Sequence, residues 1–177
     1  MYNGDRNVWK GLLAGVAGGV AAAWVMNQFQ TGWSKAAEKL QNSKTPQGEQ
    51  ERHTEDSDAE DATMKTVGKI SETFFDRQLS RDEKKRLGPL VHYAFGAGVG
   101  GFYGAAAELV PQTTLGAGLP YGAAVFVGAD EIAVPAFGLS KQPKEYPASA
   151  HIYGLASHLV FGLSLEMARR GLRRIMD

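Results

Sequence analysis

Cysteine is absent from this sequence, and so is any excess of charge of one sign. The 177 residues include no cysteine, which excludes a disulfide framework, a thiolate metal site and a cysteine nucleophile. The 19 Lys and Arg residues balance 19 Asp and Glu residues, so no overall field attracts nucleic acid. We therefore expect one domain with no nucleic-acid partner.

Signals for catalysis are missing as well. The glycine-rich stretches follow no strand pattern, and none ends in the Lys-Ser/Thr of a phosphate-binding loop. Ser157 precedes His158, but neighbours on a helix point apart and do not form a nucleophile and its base. The sequence thus predicts no catalytic residue, no cofactor and no dedicated metal site, and we expect a protein that is not an enzyme.

Charged residues are scarce over four long stretches. The mean hydropathy is only −0.25, because the charges are concentrated in residues 35–86, around residues 141–145 and at the C-terminus. A bilayer core about 30 Å thick needs about 20 apolar residues in a helix. The sequence therefore predicts an all-α, polytopic membrane protein with four glycine-rich transmembrane helices. They run from Val8 to about Phe29, Leu87 to Leu109, about Gly116 to Leu139, and about Ala148 to Met167.

A polar insert separates the first two predicted spans. Residues 41–63 lack Phe, Tyr and Trp and are predicted to be flexible and solvated, since they cannot bury enough apolar surface. The next residues form an apolar helical pattern, which predicts a short amphipathic helix on Met64, Val67, Ile70, Phe74 and Phe75. It lies on the membrane or docks a partner, or it packs on the protein's own bundle. The predicted regions are 1–34 (first span), 35–86 (insert) and 87–177 (three spans).

Capping and proline patterns predict where helices begin and end. Ser80 followed by Glu83 is a capping-box pattern, so helix is expected to begin before the second span. Pro89 predicts a kink or break as that helix enters the apolar stretch, Pro111 closes it, and Pro135 should kink or end the third helix.

Glycine recurs at intervals of four or eight residues in the four apolar stretches. Small residues at this spacing let helix backbones approach closely in lipid, which predicts packing of the glycine-zipper type. We expect either a homo-oligomer or a subunit of a larger membrane complex. The packing glycines are Gly11, Gly15, Gly19, Gly96, Gly100, Gly104, Gly118, Gly122, Gly154 and Gly162.

Ionisable side chains in the apolar stretches cost about 2.5 to 3.5 kcal/mol each and fall into two groups. We call X the side where the second span begins and Y the opposite side. The predicted X group contains His92, Asp130, Glu131 and His158. Three readings are open for this group: a buried polar clasp, a proton- or cation-responsive site, since histidine titrates near pH ~6.5, or a site for a bound metal or haem. Asp130 and Glu131 are about 100° apart around a helix, so at most one points fully into the group.

The predicted Y group pairs carboxylates with the arginines near the C-terminus. Glu108 and Glu166 are both placed at the Y interface. The arginines expected to neutralise them are Arg169, Arg170, Arg173 and Arg174.

Several short motifs resemble the YagU family of small bacterial inner-membrane proteins, a domain of unknown function. They are HxxF at His92 and Phe95, AELVP at residues 107–111, PAFGL at 135–139, and the fourth span with His158-Leu159-Val160, Glu166, Arg169-Arg170 and Leu172-Arg173. The similarity covers Val91 to Arg174, but the polar insert does not match. In the family, a histidine occupies the position that corresponds to Asp130. The resemblance implies a polytopic inner-membrane protein linked to acid tolerance, with His92, Glu108, His158 and Glu166 as the shared positions.

The distribution of Lys and Arg and the family resemblance predict opposite orientations in the membrane. Lys and Arg are more numerous near the helix ends on side X, which favours X as cytoplasmic. The family resemblance instead implies that both termini are cytoplasmic, and we adopt that orientation. The predicted function is a contribution to acid or stress tolerance through the X group in a tightly packed bundle. The alternative is a structural or accessory subunit that docks a larger complex through the insert and its amphipathic helix.

Overall fold

The computed structural model describes residues 7–42 and 62–176, and every regular element in those ranges is helical. The α-helices are α1 (Val8–Asn42), α2 (Ala62–Phe75), α3 (Arg81–Leu109), α4 (Leu119–Val125), α5 (Val134–Ala136) and α6 (Ala148–Met176). A 3₁₀-helix, Pro111–Gly118, precedes α4, and a π-helix, Phe126–Ala133, joins α4 to α5. We call Pro111–Ala136 the interrupted helix. A further 3₁₀ turn spans Pro143–Glu145. The predicted all-α class is confirmed.

Two helices of the described part are long and apolar enough to cross a membrane. They are Val8–Lys39, with a mean hydropathy of 1.5, and Pro111–Ala136, with 1.2. Helices α3 and α6 have 29 residues each, about 44 Å at 1.5 Å per residue. Their length suffices for a bilayer, but glycine and alanine score near neutral and both helices carry charged ends. The four-span topology therefore stays a prediction.

Helix α1 is longer than the predicted first span. The expected end was near Phe29, whereas the helix continues to Asn42, through a segment rich in the helix formers Ala, Glu and Lys. The predicted boundary between residues 34 and 35 therefore falls inside α1. Most of the predicted flexible segment, residues 43–61, lies outside the described residues.

Helix α2 forms where the amphipathic pattern predicts it and packs on α3. Met64 and Val67 are buried, with Met64 beside Gly88 of α3. Ile70 and Phe75 are 43% and 75% exposed. One part of the predicted apolar stripe thus belongs to the protein's own bundle, and the other part faces outward.

The start of α3 confirms the predicted capping box. The Ser80 hydroxyl accepts a hydrogen bond from the Glu83 backbone N–H at 3.3 Å, and the Glu83 carboxylate accepts one from the Ser80 N–H at 2.9 Å. The helix then passes through Pro89 without a break. Pro89 and Lys85 are both exposed, so solvent can reach the Lys85 carbonyl group that the proline leaves without its helical partner.

Regular α-helix within the interrupted helix begins later than predicted. Gly116, Ala117 and Gly118 have φ of 70°, 54° and 83°, which is left-handed backbone and cannot belong to a right-handed helix. Regular α-helix therefore starts at Leu119, and the prediction of helix from Gly116 is wrong. The predicted end at Leu139 is also late, because the helix stops at Ala136 and Gly138 has a φ of 66°.

The long helices are antiparallel neighbours around α1. Helix α1 packs on α3 and on α6, and the interrupted helix packs on α6. The Lys10 Nζ atom donates to the Met176 carbonyl at 2.6 Å, which places the start of α1 beside the end of α6. The Tyr121 hydroxyl donates to the Val99 carbonyl at 2.6 Å, so a side chain links the interrupted helix to α3.

The predicted packing glycines lie at two helix interfaces. Between α1 and α3, a Cβ atom on Gly104 or Gly100 would overlap the carbonyl oxygen of Gly11 or Gly15, and Gly19 faces Gly96 in the same way. Between α4 and α6, Gly118 and Gly122 meet the backbone of Gly162 and His158, while Gly154 faces the Phe126 ring. Glycine is required at these crossings because the backbones themselves are in contact.

Large apolar side chains are abundant on the outside of this bundle. The small residues occupy the helix contacts, together with a few buried large ones such as Tyr103, Phe161 and Leu165. Prominent outward-facing residues are Trp9 (73% exposed), Phe102 (71%), Met167 (66%) and Leu90 (65%). Small residues inside and large apolar residues outside are the arrangement expected of helices packed in lipid.

Candidate functional site

A cavity of about 870 Å³ opens between the helices at the X end of the bundle. Helices α1, α2, α3 and α6 and the interrupted helix all contribute to its walls. Three of the four predicted X-group residues line it: His92, Asp130 and His158. Its volume lies in the range of about 300–1,000 Å³ that is typical of small-molecule pockets.

Asp130 and His158 approach each other in this cavity. The His158 Nδ1 atom lies 3.7 Å from Asp130 Oδ2 and 2.9 Å from the Gly154 carbonyl oxygen. A carbonyl oxygen only accepts hydrogen bonds, so the second contact requires a proton on Nδ1. A further proton on the ring would therefore go to Nε2 and make the ring cationic beside the carboxylate.

The two partners differ in burial. The His158 side chain is 9% exposed, whereas the Asp130 side chain is 45% exposed. The imidazole is therefore held by packing, including a tilted contact with the Phe126 ring, while the carboxylate faces the open part of the cavity.

His92 contributes an unsatisfied nitrogen to the same cavity. Its Nε2 atom is buried and has no hydrogen-bond partner among the described residues. Its ring meets the edge of Tyr93, whose hydroxyl oxygen accepts a hydrogen bond from the Asn27 side chain at 3.3 Å.

The π-helix positions Asp130. At its end, the Val134 N–H bonds to the Ala129 carbonyl five residues earlier, which widens the turn around Asp130. Pro135 follows this wide turn directly. It has no N–H that could donate to the Glu131 carbonyl oxygen, as an α-helical turn would require. π-helical turns occur frequently at functional sites. The sequence indicated a disturbance at Pro135 but gave no sign of an eight-residue π-helix.

Glu131, the fourth predicted residue of the X group, lies apart from the cavity. Its Oε1 atom is 2.8 Å from His151 Nδ1, and His151 Nε2 is 3.1 Å from the Pro143 carbonyl oxygen. The adjacent carboxylates of Asp130 and Glu131 thus lie beside two different histidines. Within the described ranges, no group of three or more His, Asp or Glu side chains could hold a metal ion.

At the Y end, Glu108 binds Arg173. The arginine Nε atom donates to Glu108 Oε1 at 2.6 Å, and the Asn7 backbone N–H donates to Oε2 at 3.1 Å. Both side chains are about nine-tenths buried. This contact ties the end of α3 to the end of α6 and the start of α1.

Glu166 forms the second buried contact at the Y end. Its oxygens accept from Arg169 Nε at 2.7 Å and from Arg170 Nε at 2.5 Å, and its side chain is 1% exposed. The Arg169 guanidinium also lies 6.0 Å from the centroid of the Tyr103 ring. A carboxylate this deeply buried needs such partners, and the pairing indicates a structural role.

Sequence reasoning missed two parts of the site. His151 is the first, because its contact with Glu131 depends on the fold of the loop that contains Pro143. Arg81 and Lys85 line the cavity from the first turns of α3, although they lie before the predicted span. Their spacing of four residues places them on one helix face and is the signal that was available.

Comparison with known proteins places the chain in an uncharacterised group. A family profile described as "Protein of unknown function (DUF1440)" matches residues 42–167, more than half of the chain. The match includes the polar insert, α2 and all of the cavity lining except the part contributed by α1, so it extends further toward the N-terminus than the motifs that resemble the YagU family. No curated protein and no solved structure shows a significant match.

Proposed function

The chain belongs to the DUF1440 family of proteins of unknown function, and from its geometry we propose a proton-responsive, multi-pass protein of the bacterial inner membrane. Asp130 and His158 are the groups that take up and release protons. The 3.7 Å approach of His158 Nδ1 to Asp130 Oδ2 inside an accessible cavity carries this proposal. The resemblance to the YagU family supports the inner-membrane location and a role in acid tolerance.

Three features support the membrane location. Two helices have the length and hydropathy of membrane spans, large apolar side chains cover the outside, and the helix crossings are made by glycines in backbone contact. We propose four spans, with both termini in the cytoplasm and the cavity toward the periplasm. Exposed apolar faces beyond the bundle also suit a homo-oligomer.

The cavity chemistry fits a group that responds to acid. A neutral imidazole gains a positive charge near pH ~6.5 when nothing perturbs it, and a protonated His158 attracts the Asp130 carboxylate at this separation. His92 is the second imidazole of the cavity, and Arg81 and Lys85 are its cationic side chains. The described cavity lining thus contains two imidazoles, one carboxylate and two cationic side chains.

Proton movement into liposomes tests this proposal. Vesicles that contain a pH-sensitive dye and the purified protein are placed in a more acidic buffer. The rate at which the vesicle interior acidifies is then measured. The variant Asp130→Asn with His158→Ala should acidify no faster than protein-free vesicles. The matched control is Glu131→Gln with His151→Ala, which removes the histidine–carboxylate pair outside the cavity and should keep the wild-type rate.

Two outcomes would contradict the proton site. One is a wild-type rate equal to that of protein-free vesicles, and the other is an equal loss in the cavity variant and the control variant. Size-exclusion chromatography of each variant in detergent shows whether a loss reflects misfolding. The Asp130→Asn single variant, which changes one oxygen to nitrogen, provides a milder test of the same group.

A second function, an accessory subunit of a membrane complex, is favoured by the outward face of α2. Ile70 and Phe75 are exposed there, directly after the polar insert. Under this hypothesis, affinity purification yields a stoichiometric partner that is lost when both residues are changed to serine. A homogeneous homo-oligomer that is indifferent to Ile70→Ser and Phe75→Ser would argue against it.

A further inference from the structure

The cavity has a second chemical character besides its histidines and aspartate. Most of its wall is apolar, with Met26 from α1, Phe95 and Val99 from α3, Val134 from α5 and Phe161 from α6. Its only cationic side chains, apart from the histidines, are Arg81 and Lys85 in the described lining. An apolar chamber with a basic edge is amphipathic, and so is the ligand that it fits.

We propose that this cavity binds an anionic membrane phospholipid, with an acyl chain against Phe95 and Phe161 and the phosphate beside Arg81 and Lys85. The inference rests on the proposed membrane location and adds a ligand to the same cavity. Basic pockets between membrane helices can bind anionic lipid headgroups. The apolar wall explains why the ligand is a lipid rather than a free phosphate.

The positions along α3 suit such a ligand. Arg81 and Lys85 precede His92 by eleven and seven residues in one continuous helix, about 16 and 10 Å along its axis. They also precede Leu87, where the predicted span begins, so they stand at the level of the headgroups. The apolar wall at Phe95 and Val99 then lies deeper, at the level of the acyl chains.

The balance of charge around the cavity favours an anion. Asp130 is the only carboxylate in the described lining, and it lies beside His158. The polar residues that helices α1 and α2 contribute to the lining are all uncharged, namely Asn27, Gln30, Thr63 and Thr66. Lys85 at the edge therefore faces a lining whose one described carboxylate lies beside a histidine.

Native mass spectrometry of the purified protein in detergent tests the proposal. Phosphatidylglycerol and phosphatidylcholine with identical acyl chains are titrated separately, and bound lipid is counted. The wild-type protein should retain phosphatidylglycerol in preference to phosphatidylcholine. The variant Lys85→Gln should weaken phosphatidylglycerol binding about fivefold, since a basic residue near an anionic surface contributes about 1 kcal/mol. Arg86→Gln, an exposed neighbour outside the cavity lining, should change it little.

A second pair of variants tests the chamber itself. Ala129 lines the cavity and Ala124 is exposed on the same interrupted helix. Ala129→Phe should fill the space for the acyl chain and abolish retention of phosphatidylglycerol, whereas Ala124→Phe should leave it unchanged. Equal loss in both variants, or binding that survives Ala129→Phe, would overturn the proposal.

Other outcomes separate this inference from the proposed function. If a protein that requires detergent bound both lipids equally, the proposed anionic-lipid site would be wrong. The proposed membrane location would still stand. Retention of tetraphenylphosphonium that depends on Asp130 would replace the anionic ligand with a lipophilic cation. A protein that stays monodisperse in buffer without detergent would instead remove the membrane location, and the lipid site with it.

Discussion

Arg173 Nε lies 2.6 Å from Glu108 Oε1 and joins the C-terminal ends of α3 and α6. The two residues are far apart in sequence, and both side chains are about nine-tenths buried. A charge that is buried to this extent is stable only with its partner. The contact therefore sets the relative position of two helices that have few direct backbone contacts.

We predict that replacing either member of this ion pair lowers the free energy of unfolding. Glu108→Gln or Arg173→Met should each lower the free energy of unfolding by about 3 to 5 kcal/mol, because one buried charge is left alone. The double variant should lose less than the sum of the two single variants. Thermal unfolding in detergent measures all three, and additive losses would show that the pair is not coupled.

The glycines of α3 give a second prediction with an internal control. A Cβ atom on Gly100 would overlap the backbone of Gly15, whereas one on Gly98 meets nothing within 4 Å. Gly100→Ala should therefore destabilise the bundle by at least about 1 to 3 kcal/mol through overpacking. Gly98→Ala should be neutral or stabilising by about 0.5 to 1 kcal/mol, since alanine favours helix. Equal effects of the two substitutions on the melting temperature would contradict close α1–α3 packing.

A third prediction concerns the left-handed backbone before α4. Ala117 has a φ of 54°, a conformation that costs a non-glycine residue about 1–2 kcal/mol. Ala117→Gly should relieve this strain and, after the larger entropy of the unfolded chain is subtracted, raise stability by up to about 1 kcal/mol. The neighbouring change Gly118→Ala should act in the opposite direction, because Gly118 has a φ of 83° and contacts Gly162. The melting temperatures of the two variants in the same detergent test this.

These examples show which features the sequence could predict. Ser80 and Glu83 lie three residues apart, and their capping box needs only local contacts, so the pattern predicted it. The paired spacing of glycines predicted close helix contacts, but it could not say that Gly11 faces Gly104, since partner choice depends on the whole bundle. The left-handed φ of Ala117 follows from a turn that no residue preference requires.

The candidate site was predictable only in part for the same reason. Helical spacing and span direction brought Asp130 and His158 to one level of the bundle. The separation of Glu131 from Asp130 depends on rotation within the π-helix and on the loop that brings His151 to it. The cavity itself depends on how α3 and the interrupted helix diverge, and a linear pattern does not encode that distance.

A fourth prediction follows from the capping box. Hydrogen bonds from the backbone and side chain of Ser80 hold the pKa of Glu83 below its usual range. A carboxyl group whose pKa is lower in the folded state stabilises that state above its unfolded pKa, and the contribution disappears as the pH falls through the folded pKa. Ser80→Ala should cost about 1 kcal/mol at neutral pH and less below pH ~4. Unfolding of both proteins at pH 7 and pH 3.5 measures this, and a cost that does not change with pH would exclude a contribution from the hydrogen bond between the Ser80 hydroxyl and Glu83.

The last prediction uses the absence of cysteine to map the topology. Lys141 and Ile175 are exposed at opposite ends of α6 and its preceding loop, and the sequence contains no native thiol. If four spans place both termini in the cytoplasm, Lys141→Cys should react with a membrane-impermeant maleimide added to intact cells, whereas Ile175→Cys should react only after the cells are broken. The reverse pattern would invert the orientation and turn the cavity toward the cytoplasm. Reaction of both cysteines from the same side would mean that α6 does not cross the membrane, because a single crossing of α6 must place these two positions on opposite sides.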